Sequence, residues 1–278
     1  MGFDTTLFGK SSEIFKQSTT KLHMLGTRRV LPDGRVYRYA KNGAVNLSIG
    51  RVLGAAAHVT TLDADVVVME ARTTAQWDAG DHTIRILTTG STSSTALNIV
   101  ANQFAEGYIW VNDEAGEGQL LQVKEHVAET ATGSTGGLDI TCYDEDILGL
   151  ALTTASQVGL YKNLYDGVVI HTGTTGAGAA VGVAPRAVTA SRYFWAQTWG
   201  PCPVLVGTAI AVIGDRVGVL NTTGGSTMVE AAGTVYPIGS TNVFDTPGKS
   251  LSTPSVGYTL QVATATTEQS LVFLTIAP

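Results

Sequence analysis

The five histidines of this 278-residue sequence are the side chains best suited to act as general bases, and none stands in a catalytic motif. A hydrolytic serine needs a tight Gly-x-Ser-x-Gly turn together with a histidine base, and the sequence contains no such turn. The histidines lie in unrelated contexts, at His23, His58, His82, His126 and His171. They are therefore predicted to be surface or packing residues.

The sequence also contains no complete motif for binding phosphate, for binding a metal ion or for hydrolysing sugars. Gly248-Lys249-Ser250 has the last three letters of a phosphate-binding loop, but Val243 stands where the first glycine of that loop belongs. Two acidic clusters lack the ligand spacing of a calcium loop and are predicted to be solvated turns. They contain Asp113, Glu114 and Glu117, and Asp144, Glu145 and Asp146. The sequence predicts no catalytic residue, metal or cofactor; a hydrolase with carboxylates brought together by the fold is the weakest alternative.

Two aromatic stretches share one pattern. A Tyr-x-Trp strand is followed by a glycine-containing turn and an aliphatic strand in residues 108–123 and again in residues 193–206. In the second stretch the turn is expected at Gly200, between Trp199 and Pro201. The pattern predicts two β-hairpins of similar design.

The rings of these hairpins are the candidate interaction residues. Aromatic side chains two positions apart lie on the same face of a strand, where they fill a core or a subunit interface. Trp199 is expected to be the most exposed of them. The predicted interface residues are Tyr193, Trp195, Trp199, Tyr108 and Trp110. Stacking of sugars on such rings is the alternative.

The composition favours an all-β fold and an assembled protein. Hydrophobic residues make up 44% of the chain and charged residues 14%, and there are 32 glycines. β-Branched residues with frequent glycine turns are typical of strands, and few segments have a helical period. A surface so poor in charge is expected to be covered by other subunits. Cys142 and Cys202 are predicted to be two small buried thiols.

Charge and hydropathy exclude two classes of partner. The net charge of -6 and the pI near 5.3 argue against direct nucleic-acid binding, which needs a basic face. No apolar run approaches the roughly 20 residues that span a bilayer. The first residues have neither the basic nor the apolar region of a signal peptide, so synthesis in the cytoplasm and no membrane partner are expected.

Turn residues and changes in composition predict three regions of the chain. Residues 1–27 are a frayed terminus or an arm that orders against a neighbouring subunit, and Pro32-Asp33-Gly34 marks a hairpin turn. Residues 44–58 are either a short helix or a linker. The predicted fold is two β-sandwich or β-barrel-like units after an N-terminal arm and hairpin, and the chain closes with two predicted strands, 256–262 and 270–276. The boundaries are 1–58 for arm, hairpin and linker, 59–167 for the first β domain, and 168–278 for the second, which follows a Gly/Ala/Thr-rich connection.

Scattered pieces of the sequence resemble a known family. They are the hairpin segment 26–40, the segments 195–200 and 214–217, and the closing segments 256–260 and 271–276. Together they are similar to head-decoration (cement) proteins of tailed bacteriophages. The chain is longer than the smallest of those proteins, with two predicted β units, which leaves room for a fibre or spike.

The resemblance implies a structural virion protein without enzymatic activity. It would be made in the host cytoplasm and bind the outer capsid surface, with the major capsid protein and itself, as a homotrimer, for partners. Such a protein bridges neighbouring capsomers and resists the outward pressure of packaged DNA. The alternative from another class is a phage fibre or spike adhesin that binds host-surface glycans.

Overall fold

Strands make up nearly all the regular structure of the protein. A computed structural model describes residues 6–57, 67–68, 78–87, 98–130, 137–172, 178–207, 213–219, 235–237, 255–262 and 268–278. Within these ranges the regular elements are strands and one short 3-10 helix, Ser11–Glu13. The predicted all-β fold class is confirmed.

The chain forms two compact units, and the second is an insertion in the sequence of the first. Unit 1 contains Met1–Ala57 together with Leu164–Pro278, and unit 2 contains His58–Asn163. The N-terminal region therefore belongs with the C-terminal residues, which differs from the predicted division into 1–58, 59–167 and 168–278. The physical reason is strand pairing, because the N-terminal strand Val36–Asn42 pairs with two strands that follow the insertion, Asp166–Ile170 and Tyr193–Leu205.

Strands are numbered along the chain. Those of unit 1 are β1 (Thr6–Phe8), β2 (Arg28–Val30), β3 (Val36–Asn42), β4 (Val52–Gly54), β13 (Asp166–Ile170), β14 (Ala180–Val183), β15 (Tyr193–Leu205), β16 (Arg216–Val219), β17 (Val235–Pro237), β18 (Ser255–Thr259) and β19 (Gln269–Thr275). Those of unit 2 are β5 (Val67–Val68), β6 (Thr83–Leu87), β7 (Asn98–Ile99), β8 (Tyr108–Asp113), β9 (Leu120–His126), β10 (Glu129–Thr130), β11 (Gly137–Cys142) and β12 (Gln157–Tyr161).

Five strands of unit 1 close into a barrel. They follow the order β3, β13, β4, β14 and β15, and β15 pairs back to β3. All five contribute to one buried cluster of small and aliphatic side chains around Phe194. A barrel of so few strands has room inside for side chains only, so its centre is a packed core.

The longest strand in the described ranges, β15, carries the same sheet beyond the barrel. Its first half pairs with β3, and from Trp199 to Leu205 it pairs with β19. The sheet then continues through β18, β16 and β17, over a cluster rich in valine. The predicted hairpin with a turn at Gly200 is wrong, because residues 193–205 form one strand of 13 residues.

The two prolines and the glycine of β15 occupy positions where the strand can accept them. The amide of Leu205 donates to the carbonyl of Gly50 rather than to β19. Since amide directions alternate along a strand, Pro201 and Pro203 also direct their nitrogens away from β19 and remove no bond from that ladder. Gly200 has a φ of +85°, which bends the strand where it leaves the barrel.

A buried hydrogen-bond network holds the same bend. The hydroxyl of Tyr37 donates to Oε1 of Gln197 at 3.0 Å, and Arg35 donates to that hydroxyl at 3.2 Å. Nε2 of Gln197 donates to the carbonyls of Trp199 at 3.2 Å and Pro201 at 2.8 Å. Burial raises the pKa of Tyr37, so the phenol stays a hydrogen-bond donor.

The N-terminal hairpin and the closing strands are found where they were predicted. β2 and β3 pair up to Val30 and Val36, and Gly34 in the turn has a φ of +83°. Residues 44–58 are predicted as a short helix or a linker; the described part, 44–57, contains the short strand β4. β18 and β19 match the two predicted closing strands, and the hydroxyl of Thr198 donates to the carbonyl of Ala277 at 2.6 Å.

Unit 2 contains a six-stranded sheet in the order β5, β12, β8, β9, β11 and β6, and a two-stranded sheet of β10 and β7. β8 and β9 form the predicted hairpin, with Trp110 opposite Leu120 and positive φ angles at Gly116 and Gly118. Alternate residues of the six-stranded sheet enter a core around Phe104. The predicted hairpin of residues 108–123 is confirmed.

Candidate interaction surfaces

The predicted interface residues fall into two groups. Tyr193, Trp195 and Trp199 lie on β15 in unit 1, whereas Tyr108 and Trp110 lie on β8 in unit 2. The structure thus provides two separate candidate surfaces, one in each unit.

Trp195 lies in an aromatic cluster on the outside of the barrel wall. Its ring centroid is 5.0 Å from that of Tyr39 on β3 and 5.4 Å from that of His23. Tyr193 stacks on Tyr39 at 5.8 Å, and Ile14 closes the cluster from the N-terminal side. Trp195 is only 4% exposed, so residues of its own chain occupy the face for which a neighbouring subunit was predicted.

A cation and an acid complete the cluster. The guanidinium carbon of Arg29 lies 4.2 Å from the Trp195 ring centroid, a cation–π distance. The same guanidinium forms a 2.5 Å ion pair with Glu13, whose side chain is 41% exposed. Burial lowers the pKa of His23, and the charge of Arg29 acts in the same direction, while Glu13 opposes both. These effects favour the neutral form of His23 beside the Trp195 ring.

Trp199 was expected to be the most exposed of the candidate rings, in a turn. It lies instead within β15 and is partly buried, with the ring of Phe273 edge-on at 5.6 Å. Ladder pairing on both sides of the strand at this point leaves no turn for it to protrude from.

Residues 6–27, here called the N-terminal segment, pack against the barrel of their own chain. β1 pairs with β2 in parallel, Ser18 forms a bridge with Tyr193, and Ile14 is 1% exposed. The side chain of Gln17 both donates to and accepts from the backbone of residues 187–189. The frayed terminus is excluded for these residues, and the predicted arm is ordered against its own unit.

Three large apolar side chains of the N-terminal segment are nevertheless left in solvent. Phe8 is 85% exposed, Phe15 47% and Leu22 65%. They alternate in sequence with residues that anchor the segment, such as Ile14 and Glu13. Exposed apolar side chains on an ordered backbone are available for contact with another molecule.

The second candidate surface is the face of β8 and β9 that points away from the core, here called the β8–β9 outer face. Ile109, Val111, Leu121 and Val123 enter the core, so the alternate residues lie on the outer face. Among them Tyr108 is 42% exposed and Leu120 62%, and Trp110 lies opposite Leu120 and two residues after Tyr108.

Two carboxylates of the predicted acidic clusters form contacts within unit 2. Asp146 accepts the amide of Gln122 at 2.9 Å, and Asp144 pairs with Lys124 at 3.2 Å. In the described ranges no group of three or more His, Cys, Asp or Glu side chains could hold a metal ion. Cys142 and Cys202 are buried thiols as predicted, and burial raises the pKa of each to about 12.

The sequence did not point to the residues that surround Trp195. Arg29, Tyr39 and His23 are remote from it along the chain, and Glu13 lies in a segment without a strand pattern. The exposed Phe8 and Phe15 carried no distinct signal either, since each directly follows another large apolar residue, Leu7 or Ile14.

Among the described residues, none forms a helix long and apolar enough to cross a membrane. No protein-family model matches the chain. Searches of curated proteins and of solved structures also found no match.

Proposed function

We propose that this protein is a structural component of a tailed-phage virion that binds the outer capsid surface and stabilises it by bridging capsomers. The observation that supports this most is the N-terminal segment, which is anchored to the barrel yet presents Phe8, Phe15 and Leu22 to solvent. The similarity of segments such as 26–40 to head-decoration proteins supplies the phage context.

The low charge of the chain fits the same function. Each capsid contact would remove apolar side chains from water, at about 25 cal/mol per Å² of apolar area. Repetition of a modest contact over a closed shell, and association of the protein with itself as a trimer, would add avidity. The major capsid protein is the proposed partner, and the proposed location is the capsid surface.

The proposal is tested by adding purified protein to capsids from a phage mutant that lacks it, followed by sedimentation. Phe8→Ser, Phe15→Ser and Leu22→Ser combined should weaken capsid binding by about tenfold or more, equal to about 1.4 kcal/mol. The matched control is Val100→Ser with Val127→Ser in unit 2, each 68% exposed, and it should bind like the unmodified protein.

The two failures are distinguishable. If the unmodified protein does not sediment with capsids, the proposed function is wrong. If it does and the triple variant binds equally well, another surface makes the contact.

A phage adhesin that binds host glycans is the second candidate, and the β8–β9 outer face favours it. Tyr108, Trp110 and Leu120 form an aromatic and aliphatic surface on a sheet, on which sugar rings could stack. Glycan binding that Tyr108→Ala abolishes, while Tyr258→Ala in unit 1 does not, would support the adhesin. Tyr258 is a suitable control because it is 45% exposed.

A further inference from the structure

His126, at the end of β9, is a buried histidine whose two ring nitrogens both contact backbone groups. It is 5% exposed. The amide of Phe104 donates to Nε2 at 3.0 Å, and Nδ1 lies 2.8 Å from the carbonyl of Val127. Nε2 must accept, so the proton of the neutral ring is on Nδ1 and is donated to Val127.

The ring holds down a loop of unit 2, residues 100–107, that leads into β8. The backbone of Asn102 donates to the carbonyl of His126, and the amide of His126 donates to Oδ1 of Asn102, both at 3.0 Å. Phe104 is fully buried, 5.7 Å from the imidazole between ring centroids. Asn102 and Glu106 have φ angles of 59° and 61°, in the left-handed region that favours glycine.

Protonation of His126 is incompatible with this arrangement. A charged imidazole carries a hydrogen on both nitrogens, so Nε2–H would face the N–H of Phe104. One bond that closes the loop would become a repulsive contact, and a charge would be buried in the core of unit 2.

Charged neighbours do not compensate for that cost. The ionisable side chains on the surrounding elements are Glu106 in the loop, Lys124 and Glu125 on β9, Glu129 on β10, Asp139 on β11, which is ion-paired with Arg85 on β6, and Tyr143 after β11. In the described part of the chain, backbone groups alone make the ring's hydrogen bonds. Burial lowers the pKa of His126, and the Val127 carbonyl opposes this more weakly.

We propose that the 100–107 loop is an acid-released latch, which protonation of His126 opens from β9 with exposure of Phe104. Opening would add the phenyl ring to Val100 and Val127, which are already 68% exposed each. Mild acid would thus create an apolar surface on unit 2. This inference is independent of the proposed function.

The direction of the pH dependence follows from the lowered pKa of His126. Above the ordinary histidine pKa of about 6.5, the ring is neutral in both states and the latch has its full stability. As the pH falls below that value the open state binds the proton first, and the closed state loses up to about tenfold in relative population per pH unit. The loss ends at the lower pKa of the closed state.

Hydrogen exchange of the full-length protein tests the latch, measured at about pH 7.5 and about pH 5, on either side of the ordinary histidine pKa. After correction for intrinsic exchange, the amides of residues 102–106 should lose protection by about tenfold or more in acid. His126→Gln, which stays neutral, should remove this pH response, while His82→Gln, at an exposed site in the same unit, should leave it unchanged.

NMR titration of the unmodified protein decides the matter even if His126→Gln does not fold. The His126 ring signals should titrate below the ordinary histidine pKa, in step with the loss of loop protection. Protection that is unchanged in acid, or a ring that titrates without any change in the loop, would overturn the proposal.

Discussion

Two stretches with the same Tyr-x-Trp pattern fold differently in the two units. In unit 2, Tyr108 and Trp110 begin a strand that turns back at once, and their rings lie on the outer face. In unit 1, Tyr193 and Trp195 begin a strand that runs on through glycine and two prolines to Leu205. Trp195 is buried under the N-terminal segment.

The difference comes from partners remote in sequence. The 108–123 stretch pairs with itself, and its turn glycine at 118 has no atom within 4 Å of the position that a Cβ would take. The bend at Gly200 instead lies against Arg35, and β3 and β19 already hold the two halves of the strand. In these two stretches, turn residues produce a turn only where the segments on either side pair with each other rather than with other strands.

The largest expected effect separates the two tryptophans. Trp195→Ala should lower the free energy of unfolding of unit 1 by about 3–5 kcal/mol, because it empties a buried site and leaves Arg29 without its ring. Trp110→Ala, at a partly exposed site, should cost unit 2 roughly 1–2 kcal/mol. Urea unfolding followed by circular dichroism measures both; equal losses would contradict the assignment of one ring to the core and the other to a surface.

The network at the bend should come next in size. Gln197→Leu leaves the Tyr37 hydroxyl without its buried acceptor and should cost about 1–3 kcal/mol. Gln122→Leu, at a partly exposed position of β9, is the control and should change stability little. If the two glutamine variants unfold at the same urea concentration, the network does not hold the bend.

Two glycines with nearly the same φ allow a matched test of the bend. Gly200 has a φ of +85° and Gly118 of +86°. Alanine at either position should cost about 1–2 kcal/mol for the left-handed backbone. Gly200→Ala should cost more, because its Cβ would lie 3.2 Å from Cγ of Arg35. A larger loss for Gly118→Ala in thermal unfolding would reverse the account of the two turns.

The smallest expected effect is the pH response of the Trp195 cluster. Burial and the charge of Arg29 lower the pKa of His23 in the folded protein. The stability that neutral His23 contributes to unit 1 is therefore fully present above the ordinary histidine pKa of about 6.5. It is lost as the pH falls through the lower, folded-state pKa. His23→Gln should flatten this part of the pH profile of unit 1 stability. A steeper decline in acid for the variant would contradict the sign.

Sequence patterns predicted those features of the fold that depend on residues close together in the chain. β-Branched composition predicted the all-β class, Pro32-Asp33-Gly34 the first hairpin, and the 108–123 pattern the second. The closing of the barrel, the long β15 and the position of β4 could not be read in this way, because they depend on pairing between residues far apart in the sequence, such as Tyr39 with Trp195.

The candidate surfaces were only partly predictable for the same reason. The period of a strand places Tyr108 and Trp110 on one face, and the structure leaves that face partly exposed. The same period applied to Tyr193 and Trp195, but the sequence does not reveal that residues 6–27 cover that face. The exposed Phe8, Phe15 and Leu22 became candidates only once the segment that carries them had a place on the barrel.

Cryo-electron microscopy of the native phage particle tests the proposed function most directly. We expect density for this protein on the outer capsid surface, repeated at equivalent positions over the whole shell, with Phe8, Phe15 and Leu22 buried against capsid subunits. Density confined to the tail or to a single vertex, or no density on the particle, would contradict a capsid-stabilising function.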